Sequence, residues 1–234
     1  MPMAQQRMTR RLALALLACG PALAAAAQDG EGTMDTRLAE AAARGDAAAV
    51  RALLEAGAPV DGRDAARRTP LLLATRGNHV EVARLLIAAG ADVNAKDNIR
   101  DTPFLYAGAE GRNEILTAIL ATGRANLADT NRYGGTALIP AAHHGHPETV
   151  RILLGTEIDI DHVNNLGWTA LLEAVILGDG GPVYQEIVSL LVDAGASGIP
   201  DGDGVAPLEH ARRRGFAAIA ALIEKGPNSS RSKR

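Results

Sequence analysis

The chain has 234 residues, 47% of them hydrophobic but only 3% aromatic, so a domain-sized core is available and must be built from Ala, Leu, Ile and Val. Such a core suits thin layers of short helices better than one thick centre. A net charge of −3 gives no support to nucleic-acid binding, which needs a basic face, and leaves a protein partner of either sign open.

Residues 1–27 read as a secretory signal peptide outside the fold. Arg7, Arg10 and Arg11 make a positive start, an apolar run begins at Leu12, Gly20 and Pro21 break it, and Ala22 to Ala27 offer small-residue cleavage sites. The apolar stretch is too short and too broken to span a bilayer. Two outcomes stay open: cleavage near Ala27, or a lipid anchor on Cys19, because Leu16-Leu17-Ala18-Cys19 resembles a lipobox. Thr9-Arg10-Arg11 also resembles part of a twin-arginine signal, although Ala13 stands where a large apolar residue belongs. Cys19 is the only cysteine, so the remainder has neither a disulfide nor a thiol nucleophile. Beyond Ala27, 21 basic and 27 acidic residues leave a charge of −6. The periplasm is the expected location, with lipid-anchored or secreted forms as alternatives.

After a linker at 28–34, a repeated unit occupies 35–226. Anchors stand at Thr36-Arg37-Leu38, Thr69-Pro70-Leu71, Thr102-Pro103-Phe104, Thr136-Ala137-Leu138, Thr169-Ala170-Leu171 and Ala206-Pro207-Leu208, spaced 33, 33, 34, 33 and 37 residues apart. Gly45, Gly77, Gly111, Gly145, Gly178 and Gly215 follow them in register. Each unit is expected to start with a short helix capped by Thr, with Pro tolerated in its first turn. That helix ends at the Gly, or at Asn78 after Gly77, in a left-handed conformation. A second helix such as 80–89 or 147–154 follows. Ala74, Ala107, Ala141, Ala174 and Ala211 let the paired helices approach closely. Segments such as Ala89-Gly90-Ala91-Asp92-Val93-Asn94 then leave as hairpin arms turning at Asp97, Asn131, Asn164 and Asp201. The first and last units read as caps, Gly226-Pro227 is a stop signal, and 227–234 is a basic tail expected to be disordered.

These markers resemble the ankyrin-repeat family, and stretches such as Asn131 to Leu138 and Leu166 to Leu171 resemble exported bacterial members of it. The resemblance implies an all-α solenoid of about six stacked helix-turn-helix units with hairpin arms. The usual His after Thr-Pro-Leu is replaced by Leu72, Leu105, Ile139, Leu172 and Glu209, so apolar packing must replace the Thr–His hydrogen bond.

A solenoid presents a groove of hairpin tips and first-helix faces. In the middle units the residues expected there are Tyr106, Glu110, Arg132, Tyr133, His143, His144, Asn165, Trp168 and Glu173, which include three of the six large aromatics. Tyr, Trp and Arg dominate interface energetics, though Tyr133 and Trp168 also suit packing on a neighbouring turn. The 37-residue spacing places an insertion around 179–185, expected as a loop that covers Ile176 and Leu177, with Asp179 and Tyr184 as further contacts. His143-His144-Gly145-His146 is not expected to hold a metal, since adjacent residues at a helix end diverge; His146 sits at a structural position, and a pH-sensitive contact suits His143 and His144. No nucleophile motif or phosphate loop is present, so neither catalysis nor a cofactor is expected. The expectation is a non-enzymatic scaffold in the bacterial envelope that binds another protein, with an immunity or inhibitor protein against a toxic exported enzyme, or a secreted effector, as alternatives.

Overall fold

The computed structural model describes residues 33–226; the leader expected at 1–27, Cys19 and the tail expected at 227–234 lie outside the described residues. Twelve helices occupy the described chain in six pairs: α1 (Met34–Arg44) with α2 (Ala47–Glu55), α3 (Pro70–Arg76) with α4 (Val80–Ala88), α5 (Pro103–Ala109) with α6 (Asn113–Leu120), α7 (Leu138–His143) with α8 (Pro147–Leu154), α9 (Ala170–Leu177) with α10 (Pro182–Asp193), and α11 (Pro207–Arg213) with α12 (Ala217–Lys225). Odd-numbered helices stack on one another, even-numbered helices do the same, and each pair packs internally. The stack is quasi-one-dimensional, each unit holding mainly to its neighbours. No strand occurs among the described residues.

The core follows the anchors. Leu38, Leu71, Phe104, Leu138 and Leu171 are 0–2% exposed and form one ladder through the first helices. Leu86, Ile119 and Leu153 hold one repeated position through the second helices, and Val50, Leu191 and Ile219 are likewise fully buried on α2, α10 and α12. The predicted small positions, Ala74, Ala107, Ala141, Ala174 and Ala211, are fully buried. Leu72, Leu105, Ile139 and Leu172 are 0–3% exposed, so apolar packing does fill the place of the family's histidine.

Capping is less uniform than the anchors imply. Thr69, Thr102 and Thr169 accept hydrogen bonds from the N–H groups of Leu72, Leu105 and Leu172. Thr36 instead lies inside α1, which starts at Met34. In the fourth unit Ala137 is already helical (φ −58°, ψ −27°), so Ile139 N–H donates to the Thr136 carbonyl and the buried Thr136 hydroxyl has no partner. Gly45, Asn78, Gly111, Gly145 and Gly215 have positive φ as expected, whereas Gly178 is extended (φ −69°).

The expected insertion loop is mostly helix. The chain crosses from α9 to α10 in four residues, 178–181, and the extra length becomes the first turn of α10, started by Pro182. Gly178 is required there by close approach: a Cβ would overlap the Ala174 carbonyl oxygen and the Tyr184 ring. Tyr184 therefore lies over Gly178, and its hydroxyl donates to the His143 carbonyl oxygen at 2.8 Å. Leu177 remains 42% exposed, so the insertion does not cover it. It fastens the fifth unit to the fourth instead.

Candidate partner-binding surface

Five arms turn on one backbone pattern, at 64–68, 97–101, 131–135, 164–168 and 201–205. The first residue of each, Asp64, Asp97, Asn131, Asn164 or Asp201, accepts hydrogen bonds from the N–H groups two and four residues later. Its own N–H donates to the carbonyl of the fifth residue. This double closure fixes each tip. Further bonds tie arms together: Asp61 accepts from Asp92 N–H, Asn94 from Asn126 N–H, and Asp161 from Ser197 N–H and Oγ. The Asn98 and Asn165 N–H groups donate to the carbonyls of Ala66 and Tyr133 on the preceding tips. Polar cross-links thus order the arms without the Thr–His bond.

The third tip position points outward. Ile99, Tyr133 and Leu166 hold it on three consecutive arms and are 45%, 56% and 59% exposed. Arg132 lies over the Tyr133 ring, 4.5 Å from its centroid, an arrangement that orders a cation and an aromatic ring together. Asn165 is exposed on the next tip, while Trp168 at the base of that turn is half-buried. The sequence pattern singled out Tyr133 but not Ile99 or Leu166; their common place two residues after the Asx residue was the available signal.

Below the tips, the first helices form a polar floor. On α5, Tyr106 is half-buried under Arg76, 4.8 Å from ring centroid to guanidinium carbon, and Arg76 reaches Asp101 at 3.7 Å. On α7 and α9, His143, His144 and Glu173 are drawn together. His143 and His144 rings lie 4.9 Å apart, His144 Nδ1 contacts the Ala109 carbonyl at 2.7 Å, and Glu110 stands 3.9 Å from His144.

Glu173 is the residue that departs from the accessible groove expected of it. It is only 6% exposed. Its Oε1 accepts from Asn164 Nδ2 at 2.8 Å and its Oε2 lies 3.4 Å from His143 Nδ1. Burial raises its pKa from 4.5 to about 7 against the hydrogen bond from Asn164. Burial, with His144 nearby, also lowers the pKa of His143. Desolvation favours the neutral form of each, so below neutral pH the two side chains meet as neutral groups, and the Glu173 carboxyl takes up its charge only as pH rises through about 7. His210 holds the place equivalent to Glu173 in the last unit and meets the arm residue Asp201 at 2.7 Å; there the hydrogen bonds from Val205 N–H and from His210 lower the Asp201 pKa. Asp179 closes the turn before α10 by accepting from Gly181 N–H at 2.7 Å, and Tyr184 is half-buried in its contact with His143. Among the described residues no three His, Cys, Asp or Glu side chains converge as metal ligands.

Residues 3–97 and 104–198 match the family model for ankyrin repeats (3 copies). The chain belongs to the ankyrin-repeat family. It is 54% identical to an ankyrin repeat domain from Acinetobacter baumannii AYE, with a TM-score of 0.77 over 80% of this chain and 95% of that one. It is 41% identical to the ankyrin repeat protein EF0377, with a TM-score of 0.80 over 83% and 100%. It is 31% identical to the ankyrin repeat domain of Bcl-3, a member of the IkappaB protein family, with a TM-score of 0.73 over 84% and 88%. A 53-residue stretch is 53% identical to the putative ankyrin repeat protein YahD of Escherichia coli (strain K12), covering 22% of this chain and only 26% of that protein. Ankyrin repeats generally mediate protein–protein interaction and are typically non-enzymatic. No helix among the described residues is long and apolar enough to cross a membrane.

Proposed function

We propose that this ankyrin-repeat protein is an exported, non-enzymatic scaffold of the bacterial envelope that docks one partner protein across the tips and first-helix faces of its middle units. The observation that carries this reading is the row of Ile99, Tyr133 and Leu166, exposed in register on tips that the backbone holds fixed. Large apolar side chains on ordered turns lose little freedom on binding, which favours affinity. The export half rests on the arginines, apolar run and small residues of 1–27.

The full chain, expressed with its leader, is expected in the periplasmic fraction, where capture recovers a bound protein. Tyr133→Ala with Leu166→Ala is expected to weaken that capture by roughly tenfold or more, with melting temperature unchanged. Arg84→Ala, which breaks the outer-face pair with Glu114, is expected to leave it intact. Equal loss in both variants, or undiminished capture by the double variant, would contradict the docking surface; a chain confined to the cytoplasm would contradict export.

A further inference from the structure

The fourth position of every tip is left-handed: φ is 60° at Arg67, 67° at Arg100, 76° at Gly134, 79° at Gly167 and 78° at Gly204. Three arms meet this demand with glycine. The first two meet it with arginine, which adopts the conformation only under strain. A long cation kept twice at a strained site, one repeat apart, points to use of the side chain. Both arginines are exposed. The acids of these arms are already engaged: Asp64 with Arg68, Asp101 with Arg76, and Asp129 with Lys96. Asp97 is spent on its own turn. Across these three tips Asp64, Asp97 and Asp101 stand against Arg67, Arg68, Arg100 and Arg132, an excess of one positive charge on a chain whose net charge is −3. Arg132 continues the row on the third tip, with Ile99 and Tyr133 exposed alongside. At the far end the last tip presents Asp203.

We propose that the first three tips bind an extended acidic segment of the partner, its carboxylates pairing with Arg67, Arg100 and Arg132 and an apolar residue resting by Ile99 and Tyr133. This rests on the docking reading above and names the chemistry of the docked segment. Stacked helices stand about 8–10 Å apart and extended chain advances roughly 3.3 Å per residue, so the acids belong about three residues apart. Separated cations with apolar residues between them suit spaced carboxylates better than a continuous phosphate backbone, which would run on towards Asp203.

The test uses the full chain and labelled short peptides carrying Glu at every third residue with Leu between, compared by fluorescence anisotropy with the Gln counterpart and with an oligothymidine. The Glu peptide is expected to bind at least about tenfold tighter than the Gln peptide and to weaken as salt rises. Arg67→Gly with Arg100→Gly is expected to lower its affinity by about tenfold or more, with melting temperature unchanged or raised because glycine relieves the strained φ. Arg67→Asn with Arg100→Asn, a second pair suited to left-handed backbone, is expected to act alike. Equal binding of Glu and Gln peptides, no saturable binding of either, affinity unmoved in both double variants, or preferential binding of the oligothymidine would each overturn the proposal. Continued loss of capture in the Tyr133→Ala and Leu166→Ala variant would then leave the docking reading standing.

Discussion

Replacing Phe104 by Ala is expected to destabilise the domain by about 3–5 kcal/mol, the range for deleting a buried aromatic ring from a core that cannot collapse around the gap. Phe104 is the largest fully buried side chain, 0% exposed, in a core otherwise made of Leu, Ile, Val and Ala. It stands on α5 in the third unit, a helix that contacts α3 on one side and α7 on the other. In a stack held by nearest-neighbour contacts, loss at a middle unit weakens both of its interfaces. Urea unfolding should therefore show a lowered midpoint and separation into two transitions as the N-terminal and C-terminal units uncouple. A single transition shifted by less than about 1 kcal/mol would mean that the middle layer is not packed as described.

Glu173→Gln is expected to stabilise the protein above neutral pH and to do little near pH 5. The folded-state pKa of Glu173, about 7, lies above the ordinary 4.5 because burial penalises the carboxylate. Its stabilising contribution is fully present below the unfolded pKa and is lost as pH rises through about 7, when the folded chain must hold a buried charge. Each unit of displacement corresponds to about 1.4 kcal/mol, so the loss approaches roughly 3 kcal/mol at pH 8. Gln keeps the acceptor for Asn164 Nδ2 and places an amide donor towards His143 without a charge. His143 and His146, whose pKa values are lowered chiefly by burial, act in the opposite sense as pH falls, so the variant-minus-wild-type difference in melting temperature is the quantity to follow. It is expected to widen from pH 5 to pH 8 by roughly 5 °C or more. A constant difference would place Glu173 in solvent.

Much of the fold was legible because each marker has a local physical cause. Thr69 and Thr102 cap, Pro70 and Pro103 fit a first turn, and Asp97 and Asn131 close turns with their own side chains; none of this needs distant contacts. The departures arose where neighbours decide. Gly178-Asp179-Gly180-Gly181 reads as the start of a long loop, yet Pro182 already opens a helix, and only the seat of Tyr184 over Gly178 accounts for that extra turn. Glu173 reads as a polar groove residue because it falls on the first helix of a middle unit, four residues after the Thr169 anchor. Its burial depends on Asn164 and His143, which come from an arm and from another unit. Leu177 was expected under the insertion and is exposed because those residues turned towards His143 instead. Ile99 and Leu166 looked like ordinary loop residues until all five arms shared one register. Arg67 and Arg100 had no signal in composition; only the backbone angle at their position sets them apart from the glycines of the other tips.

The proposed docking surface is tested most directly by hydroxyl-radical footprinting of the full chain with and without its captured partner protein. Oxidation of Ile99, Tyr133 and Leu166 is expected to fall on complex formation, while Met34 on α1 and Val183 on α10, both exposed, stay as reactive as in the free protein. Protection confined to Met34, Val183 or the outer faces of the second helices, with the three tips still fully oxidised, would contradict the account.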